Sequence, residues 1–507
     1  MNKGIVSTGS PEATQAAAEI LRVGGNAFDA AVSAVFTSMT SEFALTGAGG
    51  GGAMMICTPG SEPVLYDFFV DTPRRTGKEE LDFFGVEVDF GDSTQIFHIG
   101  KGSAAVPGTL LGLITIQEQF GILPLDIVME PAIQLAREGC VLNSKQAYIF
   151  KLLEPIFSHS IEGKKLFFTN GNILTTGDRF INSDFADFLE RVSLEGAQFF
   201  YLGDGAQSIM ETFNDGGLLN CETMSQFHVA VRNPVMVSFM NTQVYSNPAP
   251  SVGGTLIVFL LRLIEEGKIQ SINIPLLVHA MIVTNTARKK VCTDPNEEYQ
   301  INRLLEKGIF SDYLEKFRSQ SKHFNIDNEI LGRGSTTHVS VIDKELNAAS
   351  VTTTNGEGCG YILPGTGIML NNMLGEEDLN PLGFHQWAHP MRLPTMIAPS
   401  IIMKEKQPFI LLGSGGSNRI RSAIVQVIIN LIDKGMSLEE AIISPRIHLE
   451  GNQLYFEPHN DISHNDVPDN ISLHPFEENN LFFGGVNAVT LSEGFSDPRR
   501  GGTFEIV

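Results

Sequence analysis

Three groups of residues in this 507-residue chain have the types that amide-cleaving chemistry needs. The first is Thr336, in "LGRGSTTHVSVID" (331–343). A threonine hydroxyl inside a chain is a poor nucleophile until a base stands beside it. The most economical base is the residue's own α-amine, with an ordinary pKa of about 7.7–8.0. That amine is free only if the Ser335–Thr336 bond has been cut. Gly332, Gly334 and Ser335 give the preceding turn the freedom to present the scissile carbonyl to the Thr336 hydroxyl. A β-branched residue is also an ordinary way to begin a strand, so Thr336 alone carries little. The second group is Thr354. "TTHVSVIDKELNAASVTTT" alternates, turns at Lys344–Leu346 and alternates again, as a β-hairpin does. With the turn centred on Glu345, Asp343 faces Asn347, Val339 faces Val351 and Thr336 faces Thr354. A second hydroxyl then lies beside the first, positioned to bond the Thr336 oxygen; a one-residue slip would destroy the pairing. The third group is Gly415 and Gly416 in "LLGSGGSNRI" (411–420), between a strand and a helix. Adjacent N–H groups near a helix's positive end suit an oxyanion, although Gly-Gly fits a plain turn as well.

The elements that must position these groups are legible in outline. Ser10 followed by Pro11 predicts an N-cap and first turn, Gly24-Gly25 ends that helix, and Asn26 starts a second, both Ala-rich. "LTGAGGGGAMMICTPGSEPVLYDFF" reads as a glycine run and two short strands joined by a Pro-Gly turn. Residues 105–240 are mostly helical in pattern, with "PLDIVMEPAIQLAREG" the clearest case, and "NPAPSVGGTLIVFLLRLIEEG" leads from a loop into a buried helix. The charged, polar stretch 288–335 is expected to be a mobile linker before the cleavage site. "TMIAPSIIMKEKQPFILLGSGG" predicts a second hairpin, and "RSAIVQVIINLIDKG" a helix with apolar residues three and four apart. Strands and helices come in blocks, which favours stacked layers over a doubly wound parallel sheet.

Composition narrows the function classes. A net charge of -23 argues against nucleic acid or an anionic membrane as partner. No segment reaches the roughly 18 uninterrupted apolar residues of a spanning helix. The N-terminus shows no secretory pattern, and Cys57, Cys140, Cys221, Cys292 and Cys359 are scattered without C-x-x-C spacing. Both features predict reduced thiols and a cytoplasmic protein. No histidine pair has metal-ligand spacing, so no metal is expected.

The segments "GGNAFDAAVSAVF", "GAGGGGAMMI", "AAVPGTLLGL", "PAPSVGGTLI", "TTHVSVID", "PGTGIMLNNMLGEED", "APSIIM", "GSGGSNRI" and "SPRIH" occur in order over nearly the full length. In these the chain resembles the γ-glutamyltransferase (γ-glutamyltranspeptidase) family, N-terminal nucleophile hydrolases made as one chain and self-cleaved. The resemblance implies an α+β fold, a four-layer αββα sandwich with two stacked antiparallel sheets between helical layers. It implies a large subunit, 1–335, and a small catalytic subunit, 336–507, intertwined as one domain after cleavage. It implies Thr336 as nucleophile, Thr354 as its assistant, Gly415 and Gly416 as the oxyanion glycines and no cofactor. Glu376 in "LNNMLGEED" matches the acidic residue that holds the substrate's α-amino group, with Glu377 and Asp378 as neighbours and Asn372 as a further substrate-binding candidate. Thr395 in "RLPTMIAP" is the counterpart of one of a pair of serines.

One departure bears on substrate. The family's Asp-Phe-Arg-Glu, whose arginine clamps the glutamyl α-carboxylate, reads "YDFFVDTPRR" here, with Phe69 in the arginine's place. A phenyl ring does not replace a bidentate guanidinium. Arg74, Arg75 or Arg392 is expected to supply that charge, unless the first two are solvated surface charges. Two readings of the chemistry follow. One is a γ-glutamyltransferase or hydrolase passing the acyl group of a small γ-glutamyl compound such as glutathione to water or an amine. The other is a related acylase, with Phe69 lining the pocket and a different acyl group. A third reading is a binding or scaffold protein that no longer matures, against which the intact Thr336, Thr354 and glycine pair stand. Homo-oligomerisation is compatible with all three.

Overall fold

A computed structural model describes residues 3–77, 80–89, 94–268, 271–290, 299–319, 335–459, 462–464 and 466–507. Two antiparallel sheets lie at its centre. The strand order of the first is Ala230–Arg232, Val64–Phe68, Gly51–Cys57, Ala348–Thr354, Thr337–Asp343, Gly4–Thr8, Thr503–Ile506. The second runs Val235–Phe239, Thr242–Ser246, Ser400–Lys404, Gln407–Gly415, Gly485–Thr490, Gly494–Ser496. The hairpin Thr337–Thr354 rests on the second sheet through Gln407–Gly415 and Gly485–Thr490.

A helical layer covers the outer face of each sheet, giving the four-layer αββα arrangement. On the first sheet, Ser10 caps Pro11–Arg22 by accepting from the Ala13 amide, and Asn26 and Asp29 close a capping box at the start of Ala27–Ser41. Every residue of Ala27–Ser41 is buried, and its small side chains let it run close over the strands. On the second sheet the cover is Gly253–Gly267, Ile274–Lys290 and Arg419–Ile432. Among the described residues no helix is long and apolar enough to cross a membrane, and Cys57, Cys140, Cys221 and Cys359 are free thiols.

The expected linker at 288–335 differs from the structure in part. Residues 299–319 hold a helix, Lys307–Arg318, whose Phe310, Tyr313, Leu314 and Phe317 are buried against Gly253–Gly267 and Ile274–Lys290. Those four recur at three- and four-residue spacing, an apolar stripe that the surrounding charges mask. Residues 291–298 and 320–334, with Cys292, Gly332 and Gly334, lie outside the described residues.

The interface between the sheets is polar where the hairpin begins. Val339 and Val341 face the helices, whereas His338 and Ser340 face the second sheet. The His338 ring bonds Thr352 through Nδ1 (2.8 Å) and Ser340 through Nε2 (2.9 Å). It lies so close to Gly413 that a Cβ there would sit 2.3 Å from a ring carbon. Burial pushes its pKa down to about 3, so the ring is neutral. The histidine of Thr-Thr-His ties the sheets together.

Candidate active site

The hairpin adopts the register its turn predicts: Thr337 pairs with Thr353, His338 with Thr352 and Val339 with Val351. The strand itself starts at Thr337, leaving Thr336 as the last residue before the ladder. Continuing the same register brings Thr336 opposite Thr354, and both are buried, 4% and 7% exposed. The bond that forms differs from the expected one. The Thr354 hydroxyl donates to the carbonyl oxygen of Ser335, the acyl half of the Ser335–Thr336 bond, and accepts from the Gly356 amide at 3.1 Å. The donor thus lies on the carbonyl of the peptide bond that precedes Thr336.

On the other side stand the glycines. Gly415 ends its strand against Thr336, where a Cβ would lie 2.2 Å from the Thr336 carbonyl oxygen, so no side chain fits. Gly416 has φ of 123°, a left-handed conformation suited to glycine, and the helix Arg419–Ile432 opens just beyond. Arg500 closes this side. Its Nη1 donates to the Thr336 carbonyl at 3.2 Å, and its guanidinium borders both glycines. Burial lowers its pKa to about 10, opposed by Asp497 and Glu42. Glu42, just past the helix Ala27–Ser41, accepts from the Thr337 hydroxyl at 2.9 and 3.1 Å. Burial raises its carboxyl to about 7.

Two carboxyls face each other beyond Thr354. Glu357 is 4% exposed, and neither of its oxygens has a hydrogen-bond partner. The Ser335 amide and the Asn372 side chain lie against it, but Asn372 Oδ1 accepts from the Glu357 main chain at 2.9 Å. Glu376 is partly exposed, with its Oε1 sealed and unpartnered against Gly356, where a Cβ would lie 2.3 Å away. Burial raises both carboxyls, Glu376 to about 8, and Glu376 raises Glu357 further. Asp378 points elsewhere, accepting from Asn418 at 2.8 Å.

The other predicted substrate residues are placed differently. Arg392 is 3% exposed and ion-paired with Asp67 (2.8 Å) and Asp71 (2.5 Å), so its charge is already neutralised. Arg74 is exposed and faces Glu222 at 3.8 Å; Arg75 bonds the His385 carbonyl beside Trp387. Neither borders the cleft of about 1000 Å³ onto which Ser335 and Glu357 open. Glu377 is exposed outside that cleft. The Thr395 hydroxyl is occupied by the Ile397 amide (3.2 Å), and Asn372 braces the Glu357 main chain and the His98 carbonyl. Phe69 is 1% exposed in the apolar core and does not line the cleft. It follows strand Val64–Phe68, and its backbone lies against Gly51, the residue paired with Thr354. Glu42, Glu357 and Arg500 escape sequence reasoning. Only the Glu after "TTTNG" carried a signal, as a carboxylate three residues beyond Thr354.

The cleft is bordered by Leu45, Phe97 and Phe482 on apolar walls and by Arg419 and Arg500 on a cationic one. A hydroxyl on the carbonyl before Thr336, a glycine pair opposite and a cleft alongside make an arrangement for acyl transfer. Comparison with known proteins agrees. A family model described as Gamma-glutamyltranspeptidase matches residues 13–507. The chain is 28% identical over 475 residues to the glutathione hydrolase proenzyme of Escherichia coli, covering 88% of this chain and 81% of that protein. It is 30% identical over 475 residues to the acylase ACY 1 proenzyme of a Pseudomonas species, covering 90% and 84%. The crystal structure of cephalosporin acylase from Bacillus halodurans shares the fold, with a TM-score of 0.84 at 22% identity over 99% of this chain and 96% of that one.

Proposed function

This chain belongs to the γ-glutamyltranspeptidase family, and we propose that it matures by cutting its own Ser335–Thr336 bond and then transfers acyl groups from γ-glutamyl-type amides to water or an amine. The observation that carries this reading is the Thr354 hydroxyl on the Ser335 carbonyl, next to a buried Thr336. In maturation the Thr336 Oγ adds to the Ser335 carbonyl carbon, the C–N bond breaks, and water resolves the resulting ester. Thr336 is left with a free amine and residues 1–335 with a carboxylate. In turnover the amine takes the hydroxyl proton as Oγ attacks the substrate carbonyl, and returns it to the leaving amine. The N–H groups of Gly415 and Gly416 are assigned to the developing oxyanion. Arg500 holds the Thr336 carbonyl and fixes the nucleophile's main chain. The two segments 1–335 and 336–507 remain one folded body, since each sheet pairs strands of one with strands of the other.

The acylase reading is favoured at one point. With Phe69 in the core and Arg392 paired to two aspartates, the family's carboxylate clamp has no equivalent among these residues. The test is Thr336→Ala. It should run as a single uncut band on denaturing electrophoresis and lose activity by at least about 10⁴-fold. A cut, active variant would refute the assignment.

A further inference from the structure

We propose that Asp378 is a positioning residue for acyl transfer: it locks the turn Gly415–Asn418, whose amides receive the oxyanion, from a segment nearly 40 residues earlier in the chain. This rests on the function proposed above, and adds to it a residue that governs turnover without governing self-cleavage.

The turn is held in a costly conformation. Gly416 has φ of 123° and Ser417 φ of 50°, two successive residues in the left-handed region, and the second carries a side chain. Among the described residues the amides of Gly416, Ser417 and Asn418 meet no acceptor, although Gly416 and Asn418 are buried. Buried amides without acceptors are unfavourable. Without outside support such a turn relaxes and carries its N–H groups away from the point where the oxyanion develops.

The support comes through side chains. Asn418 Nδ2 donates to Asp378 Oδ2 at 2.8 Å and to Glu450 Oε1 at 3.3 Å. The Ser417 hydroxyl donates to the same Asp378 oxygen at 3.4 Å, and Arg288 donates to Asn418 Oδ1 at 3.3 Å. Glu450 is fixed in turn by His448 at 2.7 Å, and His448 by Ser422 at 2.8 Å, on the helix that opens from the turn. The Asp378–Asn418 bond is the shortest of those on the turn, and Asp378 engages both side chains. Because it takes side-chain donors, the amides stay available to the substrate. The anchor is itself rigid. Asp378 sits in the 3-10 turn Glu377–Leu379, and the next residue, buried Asn380, donates to the carbonyls of Met373 (2.9 Å) and Glu376 (2.8 Å).

Self-cleavage draws on a different donor, the Thr354 hydroxyl on the Ser335 carbonyl. Loss of Asp378 therefore separates the two reactions: turnover falls and maturation does not.

The experiment takes the full chain as wild type, Asp378→Ala and Asp378→Asn. Self-cleavage is followed on denaturing gels, and turnover of γ-glutamyl- and glutaryl-p-nitroanilide is measured on the mature form. Asp378→Ala is expected to lower kcat at least about tenfold on whichever anilide the wild type turns over, with KM and the self-cleavage rate each within about twofold of wild type. Asp378→Asn keeps an oxygen acceptor for Asn418 and should restore kcat to within about threefold of wild type. If Asp378→Ala does not accumulate as folded protein, Asn418→Ala removes the same bond from its other end and is read the same way. A smaller fall in kcat overturns the proposal, as does a fall matched by an equal slowing of self-cleavage, or an Asp378→Asn variant as slow as Asp378→Ala. A wild type that cuts itself and turns over, with Asp378→Ala unimpaired, removes this inference and leaves the proposed function standing; an uncut, inactive wild type removes both.

Discussion

Two buried charge clusters in this molecule behave in opposite ways. In the first, Arg446 pairs with Asp497 at 2.6 Å, and Arg499 bridges Glu457 (2.6 Å) and Asp497 (3.2 Å), all with side chains at most 2% exposed. Every charge there meets its opposite, and Asp497 also accepts from the Val486 amide. That cluster pins the C-terminal segment and so holds Arg500 against Thr336. In the second, buried Glu357 and partly exposed Glu376 lie close together, and among the described residues neither forms a salt bridge. A folded protein keeps such an arrangement at a cost, and costs of this kind concentrate where ligands bind. Burial alone does not separate structure from function here; pairing does.

The largest expected effect is at the paired cluster. Arg499→Met leaves Glu457 buried without its cation and should lower unfolding free energy by about 3–5 kcal/mol, read from urea denaturation; a loss below about 1 kcal/mol would mean that the cluster is not what holds the C-terminus. Next is the hydroxyl between the clusters. Thr354→Ala removes the donor on the Ser335 carbonyl and should slow self-cleavage by about 10²–10³-fold, as loss of one oxyanion donor does elsewhere. Time courses on denaturing gels measure it.

The unpaired carboxyls set a pH dependence of lesser size. Glu42 and Glu376 are raised from 4.5 to about 7 and about 8, so the folded state holds their protons more tightly than the unfolded chain. Their stabilising contribution is complete below about pH 4.5 and is lost as pH rises through 7 to 8. Glu376→Gln should flatten that decline in thermal midpoint, whereas a mutant curve parallel to wild type would place its carboxyl at an ordinary pKa. The smallest effect belongs to Arg74. Exposed and outside the cleft, it should change kcat/KM less than about twofold when replaced by alanine; a tenfold loss would return it to the substrate site.

The hairpin was legible because its information is local. Alternation, a short turn and β-branched residues set the register, and the register carries Thr336 to Thr354. The glycine pair was legible because it sits where a strand meets a helix. The sheets followed from the order of blocks and the family likeness. What could not be read depends on contacts between distant segments. Glu42 reaches Thr337, and Arg500 reaches Thr336, only once the first sheet has assembled. Arg392 looked like a substrate clamp because Asp67 and Asp71, its partners, lie more than 300 residues earlier. The helix Lys307–Arg318 was hidden for another reason: its apolar stripe is narrow and its exposed face is charged enough to resemble a linker.

Intact-mass analysis of active protein, quenched while it turns over an acyl anilide, tests the account most directly. Two polypeptides are expected, the smaller beginning at Thr336 and carrying the added mass of the acyl group. Catalytic turnover by an unbroken 507-residue chain, or an acyl adduct found only on residues 1–335, would contradict it.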